Sequence, residues 1–280
     1  MNGFKNKNRI PFYKMHGGGN DFVLMDHRAR FIPEAEQPGF ARQVCVRQMG
    51  VGADGLILIE DSKKADFKWR FYNADGSEPE MCGNGGRCAA RFAVLNGIAP
   101  AALSFETLAG IIQAEVSHRR VRLALTGVGE VKLHTSIPLE EETVVGHFMR
   151  VGVPHVVVPV KDLESAPVTR WGRLVRFHAM FQPAGTNVNF ITLKGPRDLE
   201  IRTYERGVED ETLACGTGAV AAALIAARLG KAASPVTVHT RGGEALIVFF
   251  KSQGEAFTDV CLEGDAVVVY QGELWVDELK

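Results

Sequence analysis

Apolar residues in this chain fall mostly in short runs that are separated by Gly, Pro and Asp. Runs of this length between turn residues are typical of β-strands. Strand is therefore the expected dominant structure. The pattern predicts strands at residues 56–59, 67–72, 121–125, 156–160, 190–193, 236–240, 245–250 and 267–270.

Helical patterns are rarer and are of two kinds. Residues 40–48 and 171–178 place apolar side chains on one face, which predicts two amphipathic helices. Residues 82–95 and 215–229 instead follow Gly-rich turns with apolar or small residues on nearly every side, and Asn96-Gly97 and Gly230 would end them. A helix that is apolar all round must be buried on every side. In a strand-rich chain, a curved sheet wrapped around the helix achieves this.

The starts of these two apolar helices resemble each other. One reads CGNG from Cys82 and the other CGTG from Cys215, about half the chain apart, and acidic residues precede both. We infer a duplicated unit and an α+β fold of two pseudo-symmetric domains, each a mostly antiparallel, barrel-like sheet around a central apolar helix. The predicted domains are residues 1–127, completed by 268–280, and residues 128–267.

Length and composition are compatible with this arrangement and narrow the class of protein. A chain of 280 residues accommodates two medium domains, and 46% hydrophobic with 23% charged residues is typical of a globular protein. Lys and Arg number 32 against 33 Asp and Glu, so no overall charge favours nucleic acid or an acidic membrane. We therefore expect neither as a partner.

The amino terminus and the cysteines indicate a cytoplasmic protein. MNGFKNKNRI lacks the apolar core of a signal peptide, and no run of 18 apolar residues occurs. Five cysteines without regular spacing favour reduced thiols over a disulfide framework. No C-x2-C or H-x3-H pair is present, so a structural metal is not expected.

A cysteine at a helix start has distinctive chemistry. The first turn leaves backbone N–H groups unpaired at the positive end of the helix dipole, which favours a thiolate. The glycines that follow allow a ligand to approach the backbone, so a carboxylate could use the same donors. Cys45, Cys88 and Cys261 lack this context, and we interpret them as packing residues.

Two such cysteines indicate a more particular reaction. Inverting a carbon requires removal of a proton from one face and delivery of another to the opposite face, which a thiolate and a thiol facing each other would accomplish. Donors at the helix starts would stabilise the developing charge. Either cysteine alone is more simply interpreted as a small core residue at a tight turn. The repetition favours the catalytic interpretation.

Six ordered sequence blocks resemble the diaminopimelate epimerase family. They spread over most of the chain, and together they are far more specific than CGTG alone. The blocks are MHGGGNDF at 15–22, GVGADG at 50–55, FYNADGSEPEMCGNGGRC at 71–88, GVPH at 152–155, GTNVNF at 185–190 and YERGVEDETLACGTGA at 204–219.

The resemblance implies an enzyme that interconverts LL- and meso-diaminopimelate without pyridoxal or metal, on the way to lysine and cell-wall peptide. It also implies two pseudo-symmetric domains with the site in the cleft between them, and often a homodimer. Cys82 and Cys215 would be the acid and base. Gly83 and Asn84, with Gly216 and Thr217, would hold the reacting carboxylate.

The resemblance assigns the distal end of the substrate to further residues. Asparagine and glutamate oxygens suit an ammonium, and an arginine fork suits a carboxylate. The residues are Asn20, Asn73, Asn187, Glu205 and Arg206. Each also has an ordinary alternative, because Asn20 and Asn73 could be turn residues and Glu205 with Arg206 a surface pair.

His155 is placed near the thiols by the resemblance, where it and Glu205 would tune their protonation. Its alternative is a satisfied core histidine. Two positions depart from a common family pattern, since Gly55 stands where many members have Gln and Val153 where many have Asn. Both lost side chains would contact substrate, so recognition of the distal end is where this chain is expected to differ.

Rival functions differ in which of these residues they require. A proline-racemase-like or other amino-acid racemase would keep both cysteines but lack the distal-end residues. A non-catalytic binding protein, or an isomerase like those of phenazine biosynthesis, would not need both thiols. A thiol–disulfide redox enzyme would favour a C-x-x-C pair, which is absent.

Overall fold

The computed structural model describes residues 9–125 and 127–275 and divides into two compact units. The first unit comprises Met1–Leu123 with Asp265–Lys280, and the second comprises Ala124–Gly264. The domain limits inferred from sequence stay a prediction. Residues 1–8, 126 and 276–280, which those predicted domains include, lie outside the described part of the chain.

Eight described strands and two helices build the first unit. The strands are β1 Arg9–Gly17, β2 Asn20–Asp26, β3 Gly55–Glu60, β4 Phe67–Asn73, β5 Ala102–Thr107, β6 Gly110–Ser117, β7 Arg120–Ala124 and β17 Val267–Trp275, and the helices are α1 Gln37–Val44 and α2 Gly83–Leu95. A short 3₁₀ turn, Glu34–Glu36, precedes α1. Across the sheet the strand order is β17-β1-β2-β3-β4-β5-β6-β7.

The second unit contains nine described strands, two helices and the 3₁₀ turn Ala179–Phe181. The strands are β8 Val128–Pro138, β9 Thr143–Val151, β10 Val153–Pro159, β11 Asn187–Gly195, β12 Asp198–Glu205, β13 Asp210–Thr212, β14 Val236–His239, β15 Ala245–Gln253 and β16 Ala256–Asp265, and the helices are α3 Val168–Arg176 and α4 Gly216–Arg228. The order is β8-β9-β10-β11-β12-β14-β15-β16, with β13 added to β12.

The strand directions identify the units as repeats. In the orders given above, each unit has seven pairs of neighbouring strands. In both units the third and fifth pairs are parallel and the other five are antiparallel. Strand β2 is therefore equivalent to β10, β3 to β11 and β4 to β12. The two-repeat α+β fold with mostly antiparallel pairing is confirmed.

Each sheet is buried by helices on both faces. Helix α2 packs against one face of the first unit through a cluster that includes Leu24 and Ile57, while α1 covers Val23 and Leu56 on the other. Alternate side chains of a strand point to opposite faces, so a strand buried on both faces is apolar throughout. This explains why β3 is fully buried along its length.

The central helices α2 and α4 are the two helices that the sequence predicts to be apolar on nearly every side. Every residue of α4 from Gly218 to Ala226 is buried, and α2 buries a face that includes Ala89, Ala90 and Phe92. Burying an aromatic or branched side chain contributes about 1.5–3 kcal/mol, so these helices anchor the cores. Within the described residues, no helix is long and apolar enough to span a membrane.

The two amphipathic helices begin and end earlier than predicted. The 40–48 helix is observed as Gln37–Val44. It ends there because Cys45 caps it and the chain then turns, with the Gly50 N–H donating to the Val46 carbonyl. The 171–178 helix is observed as Val168–Arg176. In both, the amphipathic stripe identified the helix but not its first turn.

Candidate active site

Cys82 lies at the start of central helix α2. Its backbone is extended, its sulfur accepts a hydrogen bond from the Gly85 N–H at 3.5 Å, and the next four residues begin the helix. A methyl group added at Gly83 would meet no atom within 4 Å. Open space therefore lies beside the first N–H groups of the helix, where an anion is favoured.

Asn20, the first residue of β2, places a polar side chain at Cys82. Its amide oxygen lies 3.5 Å from the Cys82 sulfur and 3.5 Å from the Asn84 amide nitrogen. Its own nitrogen donates to Asp54 at 2.7 Å, and Arg47 donates to the other Asp54 oxygen at 2.8 Å. Because Asp54 only accepts, it fixes the Asn20 oxygen toward the thiol.

Asn84 is held from the other side by a buried arginine that sequence reasoning missed. The Arg87 guanidinium donates to the Asn84 amide oxygen at 2.9 Å and to the Asp265 carbonyl at 3.1 Å. Arg87 is fully buried in the helix, so its charge lies near the helix start. The CGNGGR stretch carried a signal for it, since a charged residue in a helix that the pattern predicts to be buried needs a polar partner.

Asn73, the last residue of β4, has a different local role. Its side chain donates to the Ser77 hydroxyl at 2.9 Å and its backbone N–H to the Ser77 carbonyl at 2.8 Å. These bonds close the turn before Cys82. The structure thus brings Asn20 and Asn84 to Cys82 and gives Asn73 the geometry of a turn residue.

Cys215 occupies the equivalent position at the start of α4 but in a drier environment. The residue is 8% exposed, and its sulfur lies 3.7 Å from the Thr217 hydroxyl. Burial and the nearby Glu205 carboxylate raise the pKa of the thiol to about 12, against the opposing effect of the helix-start N–H groups of Gly218 and Thr217. Near neutral pH this cysteine is therefore held as the thiol.

Glu205 ends strand β12 beside that thiol. Burial raises the pKa of its carboxyl group, while a hydrogen bond of 2.9 Å from the Thr212 hydroxyl lowers it. A carboxylate near a thiol disfavours two negative charges, so their protonation is coupled. Sequence reasoning named Glu205 and missed Thr212, whose cross-strand position places it there.

His155 is fully buried on β10 and is neutral. Burial and the nearby Arg206 lower the pKa of the imidazole to about 3. Its Nδ1 lies 3.2 Å from the amide nitrogen of Asn189, and Asn189 in turn accepts from the Thr203 hydroxyl at 3.0 Å. Asn189 and Thr203 were not among the predicted site residues, although Asn189 shares a strand face with Asn187 by the period of two.

Asn187 and Arg206 meet at the end of the same sheet. The Asn187 oxygen accepts from the Arg206 backbone N–H at 2.9 Å, and its nitrogen donates to the Pro154 carbonyl at 3.2 Å. The Arg206 guanidinium donates to the Ala184 carbonyl at 2.9 Å. Both predicted residues thus lie in the second unit with Cys215, Glu205 and His155.

The family model described as diaminopimelate epimerase matches residues 12–133 and 147–269. The diaminopimelate epimerase of Aquifex aeolicus is 47% identical over 282 residues, which cover 97% of this chain and all of that protein. The chain belongs to the diaminopimelate epimerase family.

Solved structures with low sequence identity share the fold. A hydroxyproline epimerase from Agrobacterium vitis has a TM-score of 0.69 at 15% identity, covering 97% of this chain and 94% of that one. A Bacillus anthracis phenazine biosynthesis protein of the PhzF family has a TM-score of 0.68 at 18% identity, covering 95% and 98%. Both structures share the two-repeat fold of this chain.

The two departures from the common epimerase pattern have different surroundings. A methyl group added at Gly55 would lie 2.6 Å from the Phe71 ring and 2.7 Å from the Tyr72 carbonyl oxygen, so a glycine is required here. Val153 is the partly buried first residue of β10. In the repeat, Gly55 is equivalent to Asn187 and Val153 to Asn20, since each pair begins equivalent strands.

Among the residues that the structure describes, no three His, Cys, Asp or Glu side chains are grouped as metal ligands. The remaining cysteines lie elsewhere, Cys45 after α1, Cys88 within α2 and Cys261 on β16. Burial raises the pKa of Cys45 to about 12.

Proposed function

We propose that this chain interconverts LL- and meso-diaminopimelate by proton transfer at one α-carbon, with Cys82 and Cys215 as acid and base on opposite faces. The observation that carries the proposal is the equivalence of the two cysteines. Each caps the central helix of its repeat and is followed by glycines and helix-start N–H groups. Membership of the diaminopimelate epimerase family supplies the substrate.

The reaction needs only proton transfers. A thiolate removes the α-proton and becomes a thiol, the charge left on carbon is delocalised into the carboxylate, and the opposite thiol delivers a proton to the other face. Reversal exchanges the two roles. The α-proton is weakly acidic, so N–H donors at Gly83, Asn84, Gly216 and Thr217 stabilise the carboxylate as its charge grows.

The side chains around Cys215 determine its protonation. Since burial and Glu205 favour the thiol, Cys215 enters the reaction as the acid when Cys82 acts as the base. His155, Glu205 and the cysteines then form the catalytic group. Desolvation on substrate binding strengthens every electrostatic contact in such a site.

The distal amino-acid end of the substrate is assigned to Asn20, Asn73, Asn187, Glu205 and Arg206. Its ammonium group suits the amide and carboxylate oxygens, and its carboxylate suits the arginine fork. Two of the three amides already have an oriented oxygen, toward Cys82 in Asn20 and toward the Arg206 N–H in Asn187.

We further propose that the enzyme uses neither pyridoxal nor a metal and serves lysine and peptidoglycan precursor synthesis as a cytoplasmic homodimer. Near-equal numbers of basic and acidic residues support a small-molecule substrate and no nucleic-acid or membrane partner. Activity that survives both a chelator and hydroxylamine would support the absence of metal and pyridoxal, whereas loss with either would contradict it.

The test is α-proton exchange in deuterated water. Purified protein incubated with LL-diaminopimelate should incorporate deuterium at the α-carbon and form the meso isomer without added cofactor. Cys82→Ser and Cys215→Ser should each lower epimerisation by at least about 10²-fold, the usual contribution of a general acid or base.

Cys261→Ser is the matched control, because Cys261 is a partly buried cysteine on β16 and lies at neither helix start. It should retain wild-type turnover. Wild-type protein that binds the substrate but exchanges no proton would exclude the proposed reaction, and full activity in either catalytic variant would exclude the two-thiol mechanism.

A further inference from the structure

Asn189 lies at the centre of a buried polar chain that joins Thr203 to His155. It is fully buried on β11, between His155 on β10 and Thr203 on β12. A methyl group added at Gly218 would lie 2.2 Å from its amide oxygen and 3.2 Å from the Cys215 sulfur. Asn189 therefore packs against the same point of α4 as the catalytic thiol.

The hydrogen bonds of Asn189 determine which end of its amide faces which neighbour. One end lies 3.2 Å from the Val156 carbonyl oxygen, which only accepts, so this end must be the NH₂ group. The other end accepts from the Thr203 hydroxyl at 3.0 Å. Turning the amide over would place its oxygen against the Val156 oxygen and would remove the hydrogen bond that it accepts from Thr203, so the two contacts together fix its orientation.

This orientation selects the tautomer of His155. The NH₂ group has a second hydrogen, and it lies 3.2 Å from His155 Nδ1, which must then be the accepting nitrogen. A neutral imidazole that accepts at Nδ1 carries its proton at Nε2. His155 Nε2 is buried without a hydrogen-bond partner among the described residues.

The first repeat shows that the fold does not require this chain. Strand pairing makes Phe22 equivalent to His155, Ile57 to Asn189 and Phe71 to Thr203. These three residues are buried and apolar, with the two rings in edge-to-face contact at 5.7 Å. The same layer is built without polar atoms, so the polar version has another purpose.

We propose that Asn189, held by Thr203, is a positioning residue that fixes His155 as the Nε2–H tautomer, so that the imidazole is a neutral hydrogen-bond donor for anionic charge in the proposed active site. This inference rests on the proposed function for its chemical purpose and on geometry for the tautomer. Burial and Arg206 keep the imidazole neutral, which is consistent with a donor that is not itself an acid.

The first measurement needs no substrate. In protein labelled with ¹⁵N-histidine, the His155 resonances, assigned by their loss in His155→Gln, should show a protonated Nε2 and an unprotonated Nδ1. Thr203→Val removes the hydroxyl at nearly constant volume and should introduce the Nδ1–H form. Asn189→Asp replaces the donor by an acceptor and should invert the tautomer.

The second measurement is turnover. Thr203→Val should lower kcat by about tenfold and Asn189→Asp by about 10²-fold, with little change in KM, because a histidine held in the wrong tautomer loses catalysis and not binding. Thr203→Ser restores the hydroxyl and should recover both the wild-type tautomer and most of kcat.

Thr192→Val is the matched control, since Thr192 lies on the same strand and donates to the Val160 carbonyl at 3.1 Å, away from His155. It should change neither readout. A wild-type His155 protonated at Nδ1, or Thr203→Val with the tautomer and kcat of the wild type, would overturn the proposal. Failure of diaminopimelate exchange would contradict the proposed function alone, because the tautomer is measured without substrate.

Discussion

The two repeats share one strand pattern but differ in the layer of side chains under the central helix. In the first, Phe22, Ile57 and Phe71 make that layer apolar, and Gly85 of α2 lies against it. In the second, the equivalent layer is hydrogen-bonded, and Gly218 of α4 lies against Asn189. A duplicated fold thus supports two equivalent cysteines while one repeat alone provides the polar chain.

The difference extends to the cysteines. Cys82 is partly buried and lies beside the neutral amide of Asn20, whereas Cys215 is buried beside the Glu205 carboxyl group. Sequence symmetry at CGNG and CGTG therefore does not imply chemical symmetry. A proton-transfer pair benefits from this, since one thiol must be ionised while the other is not.

The largest expected effect comes from making the apolar layer polar. Ile57→Asn should lower the free energy of unfolding by about 4 kcal/mol, because it loses the burial of isoleucine and leaves an amide without partners. Chemical denaturation measures the change. Ile57→Val, the control, should cost only about 1 kcal/mol. A smaller loss for asparagine than for valine would show that the layer accommodates polar groups.

The sequence predicted the elements that have strong local signals. The apolar central helices and the short strands were correct, because burial on every side and turn residues leave clear patterns. Nine of the described strands were not predicted, namely β1, β2, β5, β6, β8, β9, β12, β13 and β16. They include both the solvent-facing β8 and the largely buried β2 and β12, because strands take much of their structure from pairing partners distant in sequence.

Only those residues of the candidate site that have a local sequence signal were predicted. Cys82 and Cys215 stand out because helix-start chemistry is local. Asn189, Thr203 and Thr212 did not, since their roles depend on cross-strand neighbours that only the register reveals. Arg87 needs the carbonyl of Asp265, which is distant in the sequence.

A second comparison adds one methyl group under each central helix. Gly218→Ala should lower the free energy of unfolding by about 3 kcal/mol and strongly reduce turnover, because the new carbon would lie 2.2 Å from the Asn189 oxygen. Gly85→Ala should cost about 1 kcal/mol, since its nearest contacts are side-chain carbons at 3.2–3.4 Å. Thermal or chemical unfolding of the two variants measures this, and equal losses would contradict the difference in packing.

The smallest expected effect concerns thiol reactivity in the unliganded protein. Only the thiolate reacts with iodoacetamide, and the pKa of Cys215 is raised to about 12 by burial and Glu205, so its thiolate fraction is small at pH 7. That fraction rises with pH below the pKa, and labelling of Cys215 should increase about tenfold per pH unit between pH 7 and pH 10. Peptide mapping by mass spectrometry separates Cys215 from Cys82.

Glu205→Gln is the informative variant for this experiment, because it removes the negative charge while keeping the shape of the side chain. It should speed the labelling of Cys215 at pH 8 by a few-fold, as loss of a neighbouring carboxylate lowers the thiol pKa. Labelling of Cys82, whose sulfur lies 3.5 Å from the Asn20 amide oxygen, is followed in the same digest for comparison. Unchanged Cys215 labelling in Glu205→Gln would show that burial alone holds the thiol protonated, and that the asymmetry of the two cysteines is one of solvent exposure.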